Sequence, residues 1–190
     1  MQEEMEYKYT YADLMNWDGP RCELIDGEPK LLASPTRRHQ TVSRKLFMQI
    51  ANYLEGKTCE AFYAPFDVRL FEKEDESPRD VDTVVQPDIF VVCDPKKLDD
   101  MGCKGAPELV IEIISSFNRQ HDTVTKFDLY QRAGVKEYWI VDPEARIVQV
   151  YTLEKGRYHA ATVYTREQSV PAGVLEGCSV DLGLVFTEGK

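Results

Sequence analysis

At 190 residues, 43% apolar and 11% aromatic, the chain is long enough for one domain with a substantial core and too short for two full ones. Its formal net charge of −10 argues against a nucleic-acid partner held by overall charge, because phosphate binding runs on Lys and Arg. No apolar run approaches the roughly 18 residues of a membrane span, and Met1-Gln2-Glu3-Glu4 lacks the basic start and apolar stretch of a secretory signal, so a cytosolic protein with no membrane partner is expected.

In chain order, residues 9–17 predict a short helix capped by Thr10 and stopped by Asp18-Gly19-Pro20. Residues 21–25 and 28–33 flank Asp26-Gly27, a strong signal for a tight hairpin. Val42, Leu46, Ile50 and Leu54 recur every four residues, which predicts an amphipathic helix over 37–55 ended by Gly56. Strand-like stretches follow at 59–63 and 66–71, then an acidic loop containing Ser77-Pro78. Residues 84–92 and 109–114 are short, β-branched and almost continuously apolar, the pattern of strands buried on both faces, with a polar connection over 94–107. A second helix is expected over 123–133, capped by Asp122 and closed by Gly134. Strands at 137–141, 147–153 and 158–165 complete a mixed α/β order with no repeat and no interdomain linker.

The five cysteines are scattered without a C-x-x-C pair and read as small, reduced core residues. His39, His121 and His159 form no metal-ligand pattern. Charge is unevenly spread. Arg37, Arg38, Arg44, Lys45 and Lys57 face the single acid Glu55 over 37–57, whereas six acids face Lys73 and Arg79 over 72–82. Solvated surface would account for both runs.

Glu112 is the anomaly, because it sits inside Leu109-Val110-Ile111-Glu112-Ile113-Ile114, where a core strand should carry no charge. An unpaired buried carboxylate costs several kcal/mol or takes up a proton. Asp88, between Pro87 and Ile89-Phe90-Val91-Val92, poses the same problem. If the two strands are neighbours, the two carboxylates repel by about 4 kcal/mol at 4 Å and an effective dielectric of 20. A divalent cation removes that penalty, and so would an ion pair with a core Arg or Lys, or strand ends that reach solvent. Lys126 shares a helical face with Asp122 and Tyr130, and the first turn of its helix can lean back over the carboxyl end of the Glu112 strand.

With these residues in place the sequence resembles a known family. Glu23-Leu24-Ile25-Asp26-Gly27-Glu28, then His39, then Gln86-Pro87-Asp88, then Ala106-Pro107-Glu108 running into the Glu112 strand and Ser115, then Lys126, Tyr130 and Gly134-Val135-Lys136-Glu137-Tyr138-Trp139-Ile140-Val141-Asp142-Pro143 resemble the Uma2 family, described as putative restriction endonucleases. The resemblance implies the restriction-endonuclease-like fold, a central mixed β-sheet flanked by helices, and the PD-(D/E)XK nuclease site. By that carry-over Pro87-Asp88 supplies the first carboxylate and Glu112 the second. The lysine usually found two residues after the Glu is replaced by Ile114, and its role passes to Lys126. Ser115-Ser116-Phe117-Asn118 departs from the family's frequent proline after the first serine. Glu23 and His39 also match family positions, Glu23 as a further catalytic candidate and His39 as a phosphate contact.

The expected function is hydrolysis of phosphodiester bonds, with Asp88 and Glu112 holding Mg²⁺ or Mn²⁺ and Lys126 positioning water or neutralising phosphate charge. DNA is the substrate implied by the family, with Arg44 and Lys45 as further nucleic-acid contacts and a homodimer as the expected assembly. Two other classes fit the same residues: a non-catalytic DNA-binding or protein-interaction module, and a metal-dependent phosphohydrolase with a small substrate.

Overall fold

The computed structural model describes residues 7–73, 75–115 and 124–187. The short helix α1 (Tyr11–Met15) starts at Thr10, whose backbone N–H donates to the Asp13 carboxylate at 2.8 Å. The hairpin follows as β1 (Cys22–Ile25) and β2 (Glu28–Leu31). Asp26 and Gly27 adopt φ of 52° and 81°, the left-handed pair that matches the twist of a two-residue hairpin. Helix α2 (Arg37–Leu54) is capped by Thr36, which accepts from the His39 N–H, and it buries Val42, Leu46, Ile50 and Leu54 as their spacing predicts.

The chain then runs through β3 (Glu60–Tyr63), β4 (Val68–Arg69), β5 (Val84–Val85), β6 (Ile89–Val92), β7 (Leu98–Asp99), β8 (Gly102–Lys104) and β9 (Leu109–Ile113). Helix α3 (Lys126–Ala133) ends on Gly134 and returns the chain into β10 (Glu137–Asp142), β11 (Ile147–Glu154), β12 (Arg157–Tyr158) and β13 (Thr162–Thr165). A small hairpin of β14 (Ser169–Pro171) and β15 (Ser179–Asp181), with α4 (Leu182–Val185), closes the described chain.

Two larger sheets result. One has the order β2-β1-β5-β4-β8-β7, the other β12-β11-β10-β9-β6-β3 with β13 added against β11. In the second sheet β9 and β10 are parallel, joined through α3, while β6 lies antiparallel to β9. Its core strands alternate between two buried faces. Ile89, Val91, Ile111, Ile113 and Trp139 pack against α2 and the C-terminal hairpin; Phe90, Val110, Ile114, Tyr138 and Ile140 pack against Leu129 and Tyr130 of α3. Burying a side chain of this kind stabilises the fold by about 1.5–3 kcal/mol. Among the described residues no helix is long and apolar enough to cross a membrane.

Several expectations are corrected. Residues 84–92 are not one strand: Gln86-Pro87-Asp88 breaks the run, because Pro87 has no N–H for a ladder, and the chain changes sheets between β5 and β6. The stretches 66–71 and 158–165 shrink to Val68–Arg69 and to β12 plus β13. The Asp122 cap and the unusual turn at 116–118 lie outside the described residues. The acidic segment is not all solvated surface, since Glu72 accepts from the buried Arg69 at 2.6 Å; Asp99, from outside the segment, accepts from the same side chain at 2.5 Å.

Nor are all five cysteines reduced. Cys59 and Cys93 form a disulfide, one step beyond the Glu60↔Val92 pair of the β3–β6 ladder, while Cys22, Cys103 and Cys178 are buried and free. Two cysteines 34 residues apart become partners through strand register, which composition and spacing do not reveal.

The β1–β2 turn offers a test. A Cβ on Gly27 would stand 2.8 Å from the Lys8 Cβ at φ +81°, whereas Gly156 has a similar φ of +78° and nothing within 4 Å. Gly156→Ala should cost about 1 kcal/mol, the ordinary left-handed penalty, and Gly27→Ala clearly more. Urea denaturation of the two variants measures the difference; equal losses would mean that Lys8 does not press on the turn.

Candidate metal and catalytic site

The change of sheets at Pro87 is what builds the site. Continuing the Ile89↔Ile111 register by one residue sets Asp88 directly opposite Glu112, on the α3 face that Phe90 and Val110 share. Opposed positions of an antiparallel pair hold their Cβ atoms about 4.5–5.5 Å apart. Asp88 Oδ2 accepts from the backbone N–H of Ile113 at 2.7 Å and lies 3.1 Å from His39 Nε2. His39 reaches it from the first turn of α2, so the histidine expected to face a phosphate is placed against the first carboxylate.

Glu112 is 3% exposed, and its charge is met from α3. Lys126 Nζ donates to Glu112 Oε1 at 2.9 Å, and the Tyr130 hydroxyl donates to the same oxygen at 2.6 Å. These residues stand four apart on one helical face, so one turn of α3 supplies both donors. Lys126 Nζ also donates to Glu23 Oε1 at 3.0 Å, which makes a buried ammonium shared by two carboxylates, with Glu23 at 0% and Lys126 at 3% exposure. Glu23 comes from β1 and accepts in addition from the Gln86 backbone N–H at 2.8 Å. The Tyr130 phenol is pushed well above its usual pKa, by burial first and then by Glu112 and Glu23, and therefore stays a proton donor.

Asp88, Glu112, Lys126 and His39 line one cleft of about 170 Å³ together with Arg21, Gln86, Gln40 and the 31–36 segment. Gln86 ties this cleft to the first sheet: its amide nitrogen donates to Asp67 Oδ1 at 2.7 Å and its amide oxygen accepts from Arg21 Nη2 at 2.6 Å. Arg44 and Lys45 are not here; they line a separate groove farther along α2. Tyr130, Gln86 and Arg21 are contacts to which the sequence reading assigned no role. The four-residue step from Lys126 to Tyr130 was the available signal for the first, and adjacency to Pro87-Asp88 for the second.

The donor set fits a hard divalent ion. Asp88 Oδ2 is committed to Ile113 and His39, while Oδ1 carries no hydrogen bond among the described residues and 19% of the side chain is exposed. No group of three or more His, Cys, Asp or Glu among the described residues forms a ready cage. Two carboxylates completed by water and substrate oxygens are what Mg²⁺ or Mn²⁺ accepts. A softer ion that demands four protein ligands has no such set here.

Comparison with known proteins bears on the family and the fold. The profile of the Uma2 family, described as putative restriction endonuclease, matches residues 9–183. An uncharacterised protein of Synechocystis sp. is 23% identical over 148 residues, 76% of this chain and 74% of that one. The crystal structure of a putative nuclease belonging to DUF820 from Anabaena variabilis superimposes with a TM-score of 0.73 at 18% identity, covering 93% of this chain and 97% of that one. At that identity the likeness establishes the fold.

The shared ammonium makes a stability prediction. Lys126→Met removes the cation that Glu112 and Glu23 share and should cost about 3–5 kcal/mol in metal-free protein. Glu112→Gln leaves Lys126 paired with Glu23 and offers an amide oxygen to both donors, so its loss should be much smaller. Urea unfolding at neutral pH separates them; comparable losses would mean that Lys126 does not balance the pocket's charge.

Proposed function

The chain belongs to the Uma2 family, and from that premise we propose that it is a metal-dependent endonuclease hydrolysing phosphodiester bonds in DNA, with Asp88 and Glu112 as the ligands of Mg²⁺ or Mn²⁺. One observation carries the reading: two carboxylates from different strands stand opposite each other in a cleft, with a lysine 2.9 Å from one of them. When bound, such an ion would polarise a phosphoryl oxygen and acidify a water at neutral pH.

The chain's own groups divide the remaining work. Lys126 is placed to set the attacking water and to offset negative charge growing on the phosphate. Tyr130 and Glu23 position Lys126 and Glu112 and need not touch substrate. His39 fixes the orientation of Asp88 through Oδ2. Arg21, held at the cleft by Gln86, presents a guanidinium that suits the non-bridging oxygens of a phosphodiester. Cutting both strands of a duplex calls for two such clefts, so a homodimer is part of the proposal.

Two measurements test it. Calorimetric titration with Mn²⁺ should show binding by the parent and at least about tenfold weaker binding by Asp88→Asn and by Glu112→Gln, a loss of about 1.4 kcal/mol or more. Parent-like binding by both variants would remove these residues as ligands. The second measurement addresses the lysine. Ile114 shares the α3-side face with Glu112, since strand side chains repeat every two residues. Lys126→Met should therefore lose most DNA cleavage per folded molecule, and adding Ile114→Lys should restore a measurable part while resupplying a cation to the carboxylates. A Lys126→Met variant that cleaves as fast as the parent would make the lysine a bystander.

A further inference from the structure

A second cavity lies apart from the cleft. It is a groove of about 650 Å³ between the first half of α2, the β10–β11 turn and the segment after α4, lined by Arg37, Arg38, Arg44, Lys45 and Arg146, with Glu144 as the one acid among its described residues. Five cations gathered in a chain of net charge −10 call for a reason. Helix geometry places them without explaining them: α2 turns its apolar stripe into the core, so positions 37, 38, 41, 44 and 45 fall along its flank.

Two features show that these side chains do not serve the fold. Among the described residues Arg37, Arg38, Arg44 and Lys45 make no ion pair, whereas Arg69, Lys97, Lys126 and Arg132 each do; Lys45 contacts only the Thr187 hydroxyl and Arg44 the Met48 sulfur. Arg37 and Arg38 also occupy the first turn of a helix whose first turn holds no acid. Cations there oppose the helix dipole, so the arrangement costs the helix stability rather than adding to it. Four cations on one flank of α2 that make no ion pair among the described residues, two of them unfavourable for the helix's own dipole, are set up for an anion from outside.

The groove's length identifies the class of anion. From Arg37 and Arg38 to Arg44 and Lys45 is about seven residues, or about 10 Å of helix. One strand of B-form DNA carries a charge about every 3.4 Å of axis, so the row matches about three consecutive phosphates and far exceeds a single phosphate group. The groove and the cleft both border the start of α2. Arg37 and Arg38 line the groove while Thr36, His39 and Gln40 line the cleft, all on the cap and first turn of α2.

Building on the nuclease reading above, we propose that this groove holds the phosphodiester backbone of a DNA strand a few nucleotides away from the scissile bond, which makes the substrate a polynucleotide and not a small phosphate ester. The cleft then supplies the chemistry and the groove the grip. Because the grip on the phosphates is made of charge, it is sensitive to salt.

The test separates the groove from the cleft. Binding of fluorescein-labelled 20-nucleotide single-stranded and duplex DNA is followed by anisotropy from low to moderate salt without divalent metal, for the parent and for Arg38→Glu/Arg44→Glu, whose urea midpoint should equal or exceed the parent's. The expected result is an affinity at least tenfold weaker and a log–log salt slope shallower by about 1.4–1.8, two contacts' worth. With Mn²⁺, the double variant should lose kcat/KM on the oligonucleotide and keep it on bis(p-nitrophenyl) phosphate. Unchanged affinity and salt slope would overturn the groove. A parent that hydrolyses bis(p-nitrophenyl) phosphate yet binds neither DNA would overturn it too, while leaving the cleft as a hydrolytic site. Groove-dependent binding by a parent that cleaves nothing would instead overturn the nuclease reading and uphold the groove.

Discussion

A single ammonium, Lys126 Nζ, lies within 3.0 Å of carboxylate oxygens from two different sheets, and much of the molecule is arranged to keep it there. Glu23 arrives on the hairpin of the first sheet and Glu112 on a central strand of the second. Neither carboxylate could stay charged at its depth alone, because desolvating an isolated carboxylate costs several kcal/mol. The lysine lets both remain, and Tyr130 takes a further lone pair of Glu112. The result is a preorganised polar pocket between the two sheets, with one charged wall, at Asp88, open to solvent. A pocket of that kind is a poor way to stabilise a core and a good way to hold charged groups ready for reaction.

The restriction-endonuclease-like fold, shared with the putative nuclease from Anabaena variabilis, explains why the parts come from so many places. β9 carries Glu112, α3 follows it and returns Lys126 across its carboxyl end, and β10 then pairs in parallel beside it. The strand, helix and strand form one crossover unit, and only its antiparallel neighbour β6 has to bring Asp88. Ile114 fills the interface with Leu129 and Tyr130, while the lysine of this region stands on α3 at position 126.

Much of this was legible in the sequence because it rested on local chemistry. The Asp26-Gly27 turn, the four-residue stripe of α2 and the charge inside the Glu112 strand each follow from a periodicity or a single misplaced residue. The juxtaposition of Asp88 and Glu112 was legible as a conditional, given neighbouring strands. What was hidden depended on register or on distant partners. The Cys59–Cys93 bond needed the β3–β6 alignment, the salt bridges of Arg69 needed two loops to meet, and the hydrogen bonds of Gln86 needed Arg21 and Asp67, 65 and 19 residues away in sequence. The reading of 84–92 as one strand failed because apolar character on both sides of Pro87 masked a change of sheet. Lys126 was legible as a catalytic candidate, whereas its part as the counter-ion of two buried acids was not.

The break at Gln86-Pro87-Asp88 has a consequence for when the cleft exists at all. Its three residues are fastened to both sheets: Gln86 N–H to Glu23 in one, Asp88 to the Ile113 N–H in the other. A chain in which only one sheet has formed lacks either the second carboxylate or the partner that steadies the lysine. Assembly of the two sheets is thus what gathers the acids, and a half-made, unfolding or clipped copy carries them scattered along the chain.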